Sequence, residues 1–313
     1  MHPAISSLCG SEIAVTGAGG FLGGAVVKEL RRAGARVHAI LGPPGLGDQV
    51  PEGAASVSEI DICDLPNLKT IFATTDAVVH LAGLVSVAAS FENIVEYVRV
   101  NTLGAACVLQ ACREAQVSKI IYISSAEVYG QPRSNPVAED HPLHARSPYA
   151  AAKIGAEKLM EAYVAGFNQS IIVLRPFSIY GPGASAQSLL GRILRLARSG
   201  TAVVLNDLQP VRDYIFVDDV ARAVCQACLL EQTGLQIFNI GTMQGRRVEE
   251  IARLCIETMG KTVPVTERPN AKRPGQSEIY SLIADNRRAR SILGWKPSTS
   301  LEEGLRLTSL AFP

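Results

Sequence analysis

The sequence has no excess of charge of either sign. It contains 30 lysines and arginines against 29 aspartates and glutamates, a formal net charge of +1 over 313 residues. Such a balance provides no global electric field that would attract nucleic acid or an anionic membrane surface. We therefore expect neither as a partner, and any anionic ligand must be held by a few well-placed groups.

Long hydrophobic runs and export signals are also absent. The longest weakly polar stretch, Ala77–Phe91, has 15 residues and includes His80, so it is too short and too polar to span a bilayer. The first ten residues lack the basic start and the apolar run of a signal peptide. The seven cysteines, from Cys9 to Cys255, are odd in number and widely spaced, unlike a secreted disulfide framework. These features predict a cytoplasmic protein.

The sequence offers little for a metal ion. Cys225 and Cys228 are three residues apart, but they fall on a predicted helix with no second pair and no nearby set of histidines. Packing in the core is the favoured interpretation of these thiols, and we predict no metal site.

Short β-branched runs alternate with longer segments of helical periodicity, a pattern typical of a parallel sheet flanked by helices. In the first helical segment, Leu22, Val26 and Leu30 are four residues apart and form one apolar stripe. The sequence therefore predicts a doubly wound (Rossmann) α/β fold. The predicted strands are Ile13–Thr16, Val37–Leu41, Val57–Ile60, Val78–Leu81, Lys119–Ser124 and Ile171–Arg175, and the predicted helices are Phe21–Ala33, Glu92–Ala115 and Tyr149–Gly166.

After Pro176 this rhythm changes, and prolines and glycines cluster in Tyr180–Gly183. We interpret the change as the start of a second, smaller α/β lobe. A predicted helix at Val217–Leu230 and a predicted strand at Ile237–Ile240 can return to the first sheet, so we expect the two lobes to interleave. The predicted division gives residues 1–176 and 212–241 to the Rossmann domain, and residues 177–211 and 242–313 to a lobe that binds the substrate.

A glycine-rich turn lies between the first predicted strand and the first predicted helix, with the sequence Gly17-Ala18-Gly19-Gly20-Phe21-Leu22-Gly23. Gly17 permits a tight turn, Gly20 lets the backbone approach a pyrophosphate, and Gly23 allows the helix to lie close to the strand. Unpaired N–H groups at the start of the helix can then bind the phosphates. The spacing differs from G-x-G-x-x-G because Gly17 and Gly20 are three apart, although Gly19 is also present.

From this turn onward the sequence resembles the extended short-chain dehydrogenase/reductase family, in particular its NAD-dependent nucleotide-sugar epimerases and dehydratases. Any single motif could match by chance, but the ordered series is specific and covers nearly the whole chain. Besides the glycine turn it comprises Asp61-Ile62, Val79–Gly83, Asn101, Ser124–Gly130, Ser147–Lys153, Arg175–Gly183, Arg212-Asp213-Tyr214, Asp218-Asp219-Val220, Asn239-Ile240-Gly241, Arg273-Pro274-Gly275 and Leu293-Gly294-Trp295.

The resemblance implies NAD as the cofactor. It places Asp61 and Ile62 at the adenine and Lys153 at the nicotinamide ribose. The residues that it implies in cofactor binding are Gly17, Gly19, Gly20, Phe21, Leu22, Gly23, Asp61, Ile62, Leu81, Ala82, Gly83, Asn101, Ser124, Tyr149, Lys153 and Pro176.

The end of the second predicted strand departs from this pattern. An NAD-binding strand of this type normally carries an acidic residue about 20 positions beyond the glycines, where it holds the ribose hydroxyls. Leu41 occupies that place and Gly42 follows, with no arginine close by to receive the 2′-phosphate of NADP. NAD is favoured over NADP because of the resemblance.

Tyr149 and Lys153 are four residues apart on a predicted helix, so their side chains lie on one face. A phenol with a pKa of about 10 is a poor base at neutral pH, but a neighbouring ammonium and the positive nicotinamide ring would favour the phenolate. Tyr149 would then remove the proton of a sugar hydroxyl. Ser125 matches the family's catalytic Ser/Thr and would bind the same oxygen, whereas Ser124 is assigned to structure or to the cofactor.

The residues around Ser125 leave the reaction open. Glu127 stands where dehydratases and related decarboxylases carry a glutamate, but Ala126 stands where dTDP-glucose dehydratases carry an acid, and Val85-Ser86-Val87 resembles the epimerases. We favour a nucleotide-sugar 4-epimerase that works through a transient 4-keto intermediate. The alternative is a dehydratase or decarboxylase using Glu127, and a second alternative is an NADP-dependent sugar reductase. A subunit without catalytic activity is disfavoured by the intact Ser, Tyr and Lys.

Cationic side chains would anchor the substrate. Arg212 and Arg273 match the family's arginines that bind the diphosphate of the nucleotide sugar, a task that suits a guanidinium. Ser86, Ser125 and Ser178 are the further substrate residues, and Ser178 replaces the usual Asn, which leaves UDP-, dTDP- and GDP-sugars open. The resemblance also implies a homodimer formed through the helices Glu92–Ala115 and Tyr149–Gly166.

Overall fold

A computed structural model describes residues 8–46, 49–167, 169–268, 274–275 and 277–312. The strands are β1 Glu12–Thr16, β2 Arg36–Leu41, β3 Ser56–Glu59, β4 Ala77–His80, β5 Lys119–Ile123, β6 Ser170–Pro176, β7 Ser178–Tyr180, β8 Val203–Leu205, β9 Val211–Phe216, β10 Leu235–Ile240, β11 Gly245–Arg247, β12 Val265–Glu267 and β13 Ser281–Leu282. The helices are α1 Phe21–Arg32, α2 Leu65–Phe72, α3 Val87–Ser90, α4 Ile94–Val98, α5 Gly104–Glu114, α6 Pro148–Phe167, α7 Leu189–Arg198, α8 Val217–Leu229, α9 Val248–Thr258, α10 Arg287–Ser291 and α11 Leu301–Ala311, with a π segment at Arg99–Leu103 and a 3₁₀ turn at Ala126–Tyr129. Within these described ranges, no helix has both the length and the apolar character needed to cross a bilayer.

The larger sheet has seven parallel strands in the order β10-β6-β5-β4-β1-β2-β3. The chain winds outward from β1 in both directions, because β2 pairs with one side of β1 and β4 with the other. In such sheets ligands bind in the crevice at the carboxyl ends of the strands where the winding direction changes. The predicted doubly wound fold is confirmed, and its crevice lies after β1 and β4.

Helices cover both faces of this sheet and bury its apolar side chains. Helices α1 and α8 pack on one face, where Val26, Leu30 and Val224 are fully buried. Helices α2, α5 and α6 cover the other face, with Leu68 and Met160 in the core. The predicted stripe of α1 is observed, since Val26 and Leu30 are inaccessible and Leu22 is partly buried.

The second lobe is built on a smaller sheet. Strand β9 pairs with β7, β11 and β13, and β12 pairs with β8. Helices α7, α9 and α11 enclose a separate core around Ile193, Phe216 and Ile251. Helix α8 packs against α1, and β10 pairs with β6, so the chain returns to the larger sheet after β9.

Most predicted strands and helices are observed with ends within two residues of the prediction. The single helix predicted at Glu92–Ala115 is wrong in its interior: α4 begins at Ile94, and the π segment separates it from α5. Apolar periodicity records which face is buried but does not detect a local change to i→i+5 hydrogen bonding. Asn101 lies in this π segment and is 1% exposed.

Candidate active site

The glycine turn after β1 is packed too closely for a side chain at Gly17 or Gly23. Gly17 has φ +68°, and a Cβ there would lie 2.7 Å from the backbone nitrogen of Ala82. A Cβ on Gly23 would lie 2.2 Å from the carbonyl oxygen of Gly17. Exposed Gly20 is the N-cap of α1, whose first N–H groups are open to a ligand, which fits the pyrophosphate of a dinucleotide. The adjoining cofactor-binding predictions are partly buried: Gly19, Phe21 and Leu22.

Thr16 holds the loop after β4 at the end of β1 through hydrogen bonds. Its carbonyl oxygen accepts a hydrogen bond from the N–H of Leu81 at 3.2 Å, and its hydroxyl oxygen accepts one from the N–H of Ala82 at 3.2 Å. The hydroxyl also lies 2.8 Å from Nδ1 of buried His80. Burial lowers the pKa of His80 to about 3, so this imidazole is neutral and structural. These hydrogen bonds therefore fix the carboxyl ends of β1 and β4 relative to each other at the crevice.

Asn101 holds the same loop from the other side. Its Oδ1 accepts a hydrogen bond from the N–H of Leu84 at 2.8 Å, and its Nδ2 donates one to the carbonyl oxygen of Leu84 at 2.9 Å. A Cβ on Gly83 would lie 3.0 Å from Oδ1 of Asn101 and 3.6 Å from Nζ of Lys153. The structure thus brings the predicted cofactor residues Gly83, Asn101 and Lys153 together. The Asn101 amide acts on the loop backbone, and its direct contact with the cofactor stays a prediction.

Asp61 and Ile62 lie beside the π segment. The Asp61 carboxylate accepts hydrogen bonds from the N–H of Cys63 at 2.8 Å and from Nη1 of Arg99 at 2.9 Å, and these bonds hold the pKa of Asp61 below its usual range. Ile62 is 7% exposed, whereas the Asp61 side chain is 39% exposed and accessible to a ligand. At the end of β2, Leu41 is buried, and its hydrocarbon side chain has no group that could hydrogen-bond to a ribose.

Tyr149 and Ser125 meet at the carboxyl end of β5. The Tyr149 side chain is hydrogen-bonded to Ser125, is 6% exposed, and contacts Tyr97 edge-on with ring centroids 6.4 Å apart. Burial raises the pKa of Tyr149 to about 12, the Ser125 hydrogen bond opposes this, and the charge of Glu127 adds to it. Burial dominates in the protein without ligands, and the predicted increase in acidity from Lys153 and the nicotinamide ring stays a prediction.

Lys153 lies one helical turn beyond Tyr149 and is 3% exposed. Its Nζ donates a hydrogen bond to the carbonyl oxygen of Ile123 at 2.7 Å and lies 4.8 Å from the centroid of the Tyr122 ring. Burial lowers the pKa of Lys153 to about 8, and the negative charge of Glu157 opposes that decrease. The ammonium is therefore close to titration at physiological pH.

The buried ammonium makes stability depend on pH in a defined window. The pKa of Lys153 is about 8 in the folded protein and 10.5 without burial, so the unfolded chain binds more protons between these values. The free energy of unfolding must then increase as pH rises through the window. We expect wild type to gain about 3 kcal/mol relative to Lys153→Met from about pH 8 to about pH 10.5, measured by urea denaturation without cofactor. A difference that stays constant across this range would contradict the assignment.

Three further predicted residues, Ser124, Glu127 and Pro176, lie close to Ser125 along the chain or at the end of the neighbouring strand. The N–H of Glu127 donates to Oγ of Ser125 at 3.2 Å, and the Glu127 side chain is partly buried at the start of the 3₁₀ turn. Ser124 is 2% exposed, and its hydroxyl donates a hydrogen bond to the carboxylate of Glu157. Pro176 ends the adjacent strand β6. This hydrogen bond fits a structural role for Ser124, and the predicted contact of Ser124 with the cofactor stays a prediction.

The predicted substrate residues lie apart from this cluster along the chain. Arg212 is on β9, where its Nη2 pairs with Oε1 of Glu278 at 3.0 Å and its side chain is 11% exposed. Ser178 begins β7, which pairs with β9. Ser86 is exposed and caps α3 through a 3.2 Å hydrogen bond from the N–H of Ala89. Arg273 lies outside the described residues.

Sequence reasoning assigned no role to three charged residues that the structure places close to the predicted site. Glu278 pairs with Arg212, and Glu157 pairs with Arg175 beneath Ser124. A signal for Glu157 was present, because it follows Lys153 by four residues on the same helix face. No local pattern identifies the partners of Arg175 or Glu278, since the pairs join separate parts of the chain.

These features define a Rossmann-fold protein with a Ser-Tyr-Lys cluster beside its dinucleotide crevice. Over residues 13–241 the sequence matches the NAD dependent epimerase/dehydratase family. The UDP-glucose 4-epimerase of Bacillus subtilis (strain 168) is 31% identical over 324 aligned residues, which cover 93% of this chain and 94% of that protein. The UDP-glucose 4-epimerase of Thermotoga maritima with UDP-glucose has a TM-score of 0.88 at 31% identity, over 96% of this chain and 98% of that chain. MoeE5 in complex with UDP-glucuronic acid and NAD has a TM-score of 0.86 at 31% identity, with the same coverage.

The chain belongs to the NAD-dependent epimerase/dehydratase family. This confirms the predicted family, the predicted NAD-dependent epimerase type of enzyme and the choice of NAD as cofactor. The individual site residues, the homodimer and the cytoplasmic location stay predictions.

Proposed function

We propose that this protein is an NAD-dependent 4-epimerase of a nucleotide sugar, with a UDP-sugar as the first candidate. The observation that carries the proposal is the cluster of half-buried Ser125 with buried Tyr149 and Lys153, next to the loop at Gly83 that packs on the glycine turn. The names of the relatives support the choice of UDP and of a 4-epimerase.

Each residue of the cluster has a task that suits its position. Tyr149 takes the proton from the 4-hydroxyl of the sugar, and Ser125, which is hydrogen-bonded to the phenol, binds the same oxygen. The Lys153 ammonium supplies positive charge one helical turn away, and its nearness to the loop at Gly83 supports the proposal that it binds the nicotinamide ribose. A bound NAD would supply the acceptor for the hydride from C4 of the sugar and the donor for its return. Tyr149 gives its proton back when the 4-keto sugar is reduced on its other face.

The glycine turn and the ionic groups of the second lobe would hold the two ligands. The open N–H groups of α1 suit the pyrophosphate of NAD, and Asp61 and Leu81–Gly83 follow the carboxyl ends of β3 and β4 at the same edge of the sheet. Arg212 is proposed to bind the diphosphate of the nucleotide sugar together with Arg273. Arg212 is already paired with Glu278, so the diphosphate has to share or replace that carboxylate.

A second candidate is a dehydratase or decarboxylase reaction on the same 4-keto sugar. It is supported by Glu127, whose carboxylate lies close enough to Tyr149 to raise the pKa of the phenol. Such a reaction needs a base for a second proton, and Glu127 is placed to provide it. Ala126 has no acidic group to assist the departure of water, which favours the epimerase.

The two candidates give different products. Purified protein would be incubated with a panel of UDP-, dTDP- and GDP-sugars and followed by NMR, with absorbance at 340 nm recorded in parallel. A mixture of C4 isomers without accumulating absorbance at 340 nm is the expected result. A 4-keto-6-deoxy product would transfer the assignment to the dehydratase, and lack of turnover across the panel would contradict both.

We also propose a homodimer formed through α4, the π segment and α6. Apolar side chains project from this surface into solvent, and Val95 is 83% exposed. A second copy would bury them. The exposed members are Ile94, Val95, Val98, Leu103 and Leu159.

Val95→Asp is expected to convert the dimer into a monomer, because a charge would be buried without a partner at the interface. Light scattering should then give the chain mass of 33.3 kDa instead of about twice that value. Leu310→Asp is the matched control, since Leu310 is 70% exposed on α11, away from this surface. A monomeric wild type would contradict the proposal.

Two further predictions belong to the same proposal. We propose a Rossmann domain of residues 1–176 and 212–241 and a substrate lobe of residues 177–211 and 242–313. The return of α8 and β10 to the larger sheet supports this division, although β9 itself lies in the smaller sheet.

A cytoplasmic location is supported by the odd number of scattered cysteines.

A further inference from the structure

A buried ion pair lies directly behind the Ser-Tyr-Lys cluster and has no task in the proposed reaction. Arg175 of β6 donates from Nη2 to Oε2 of Glu157 at 2.6 Å and from Nε to Oε1 at 3.1 Å. The two side chains are 3% and 5% exposed. Burying two charges is costly, and apolar replacements of such pairs are often as stable, so stability alone does not explain this one.

Hydrogen bonds from the pair reach both ends of the segment that carries Ser125 and Glu127. The hydroxyl of Ser124 donates to Oε1 of Glu157 at the start of the segment. At its end, Nη1 of Arg175 donates to the hydroxyl oxygen of Tyr129 at 2.8 Å. Loss of the pair would therefore remove one hydrogen bond at each end of the turn on which Ser125 is placed, while the Tyr129 hydroxyl keeps its hydrogen bond to Asn239.

Glu157 also shares a helix face with the reactive groups. Tyr149, Lys153 and Glu157 follow one another at intervals of four along α6, so their side chains form one stripe. Lys153 and Glu157 are separated by about 6 Å of helix axis. Both side chains are buried, and opposite charges at this distance in a protein interior attract each other strongly.

The other titratable groups that face Lys153 carry no negative charge at neutral pH. His80 of β4 is neutral, since burial lowers its pKa to about 3. Burial also raises the pKa values of Tyr122 of β5 and Tyr149 of α6, so both phenols are protonated. Glu157 is the group whose negative charge opposes the effect of burial on the pKa of Lys153.

We propose that Glu157 is a positioning residue for the reaction, whose carboxylate supports the Lys153 ammonium electrostatically and fixes the end of β5 through Ser124. Arg175 orients that carboxylate and partly neutralises it. The inference rests on the proposed function for its catalytic meaning, but the charge relation between Glu157 and Lys153 can be tested without substrate.

Two variants break the same ion pair and change the local charge in opposite senses. Glu157→Gln removes the negative charge and is expected to lower the pKa of Lys153 by about one pH unit. Arg175→Met leaves the carboxylate and removes its cation, so the pKa of Lys153 should rise. NMR of cofactor-free protein labelled with 13C at lysine Cε, with the Lys153 signal assigned by Lys153→Met, measures both.

A role in fold stability alone would make the two variants behave alike. Shifts in the same direction, or no shift, would overturn the inference. Glu157→Asp keeps the charge and should retain the wild-type titration, so it is the matched control. If Glu157→Gln does not fold, Arg175→Met still tests the inference, because its Lys153 titration must move to higher pH. Ser124→Ala tests the β5 contact by near-UV circular dichroism.

Turnover separates this inference from the proposed function. In Glu157→Gln the alkaline limb of the kcat profile should move to lower pH by the same unit as the NMR titration, with KM changed less than kcat. An alkaline limb that stays in place while the NMR titration moves would remove Glu157 from the reaction. Lack of epimerase activity in wild type, with opposite NMR shifts in the two variants, would contradict only the proposed function.

Discussion

Replacing Tyr149 by Phe is expected to reduce turnover by about 10³-fold, which is the typical contribution of a positioned general base. The change removes the hydroxyl that is bonded to Ser125 and leaves the ring in contact with Tyr97. No backbone group or charge is altered, so the fold and the affinity for NAD should persist. Turnover would be followed by NMR on the sugar that wild type converts fastest, and NAD binding by isothermal titration calorimetry.

Tyr97→Phe is the matched control for this prediction. It removes a phenol hydroxyl from the neighbouring ring, which donates to the carbonyl oxygen of Ser86 at 2.6 Å and is not assigned to the chemistry. Loss of one such hydrogen bond should alter turnover by less than about tenfold. Should Tyr149→Phe retain turnover within tenfold of wild type, Tyr149 would not be the base and the proposed mechanism would fail.

Gly23→Ala should abolish NAD binding, with an expected loss of affinity of at least about 100-fold and of stability of about 1–3 kcal/mol. The new Cβ would lie 2.2 Å from the carbonyl oxygen of Gly17 and 2.6 Å from that of Ala18. These are backbone atoms and cannot turn aside like a flexible side chain, so α1 and the glycine turn must separate. The N–H groups that meet the pyrophosphate would move with them. Calorimetric titration with NAD and urea denaturation measure the two losses.

Gly24→Ala provides a control at the next position of the same helix. A Cβ on Gly24 has no heavy atom within 4 Å, so the substitution adds a methyl group without a clash. Alanine is the better helix former, and the variant should be more stable by about 0.5–1 kcal/mol while binding NAD like wild type. Wild-type NAD affinity in Gly23→Ala would show that the turn does not approach the cofactor.

The acidity that Tyr149 requires as a base depends on the bound ligands to a greater extent than its spacing from Lys153 indicated. Spacing indicated a phenol made acidic by Lys153, but burial raises the pKa of Tyr149 to about 12 in the protein alone. Burial also lowers the pKa of Lys153 to about 8. The Ser125 hydrogen bond is already present in this state of the protein, so the positive charge of a bound nicotinamide would have to lower the pKa of Tyr149 further for the phenol to act as a base at neutral pH. Desolvation depends on the surrounding side chains, and spacing contains no information about it.

Local sequence also did not reveal how Asn101 acts. The motif placed this residue in a long helix near the cofactor, and apolar periodicity gave that helix as continuous from Glu92 to Ala115. The structure instead has a π segment there, with both polar atoms of the Asn101 amide bonded to the backbone of Leu84. Both bonds join positions 17 residues apart, and the helical pattern of one segment cannot report them.

The order of strands and helices, the glycine turn and the stripe of Tyr149 and Lys153 could be predicted from the amino-acid sequence alone. Each depends on residues that are close along the chain: β-branched runs, a turn that excludes Cβ atoms, and the 3.6-residue repeat of a helix. The ion pairs of Glu157 with Arg175 and of Glu278 with Arg212, and the hydrogen bond between Ser124 and Glu157, became visible in the folded chain alone. The same is true of the extent to which burial shifts each pKa. These contacts form when distant segments exclude water together, so they follow from packing of the whole chain rather than from any local pattern.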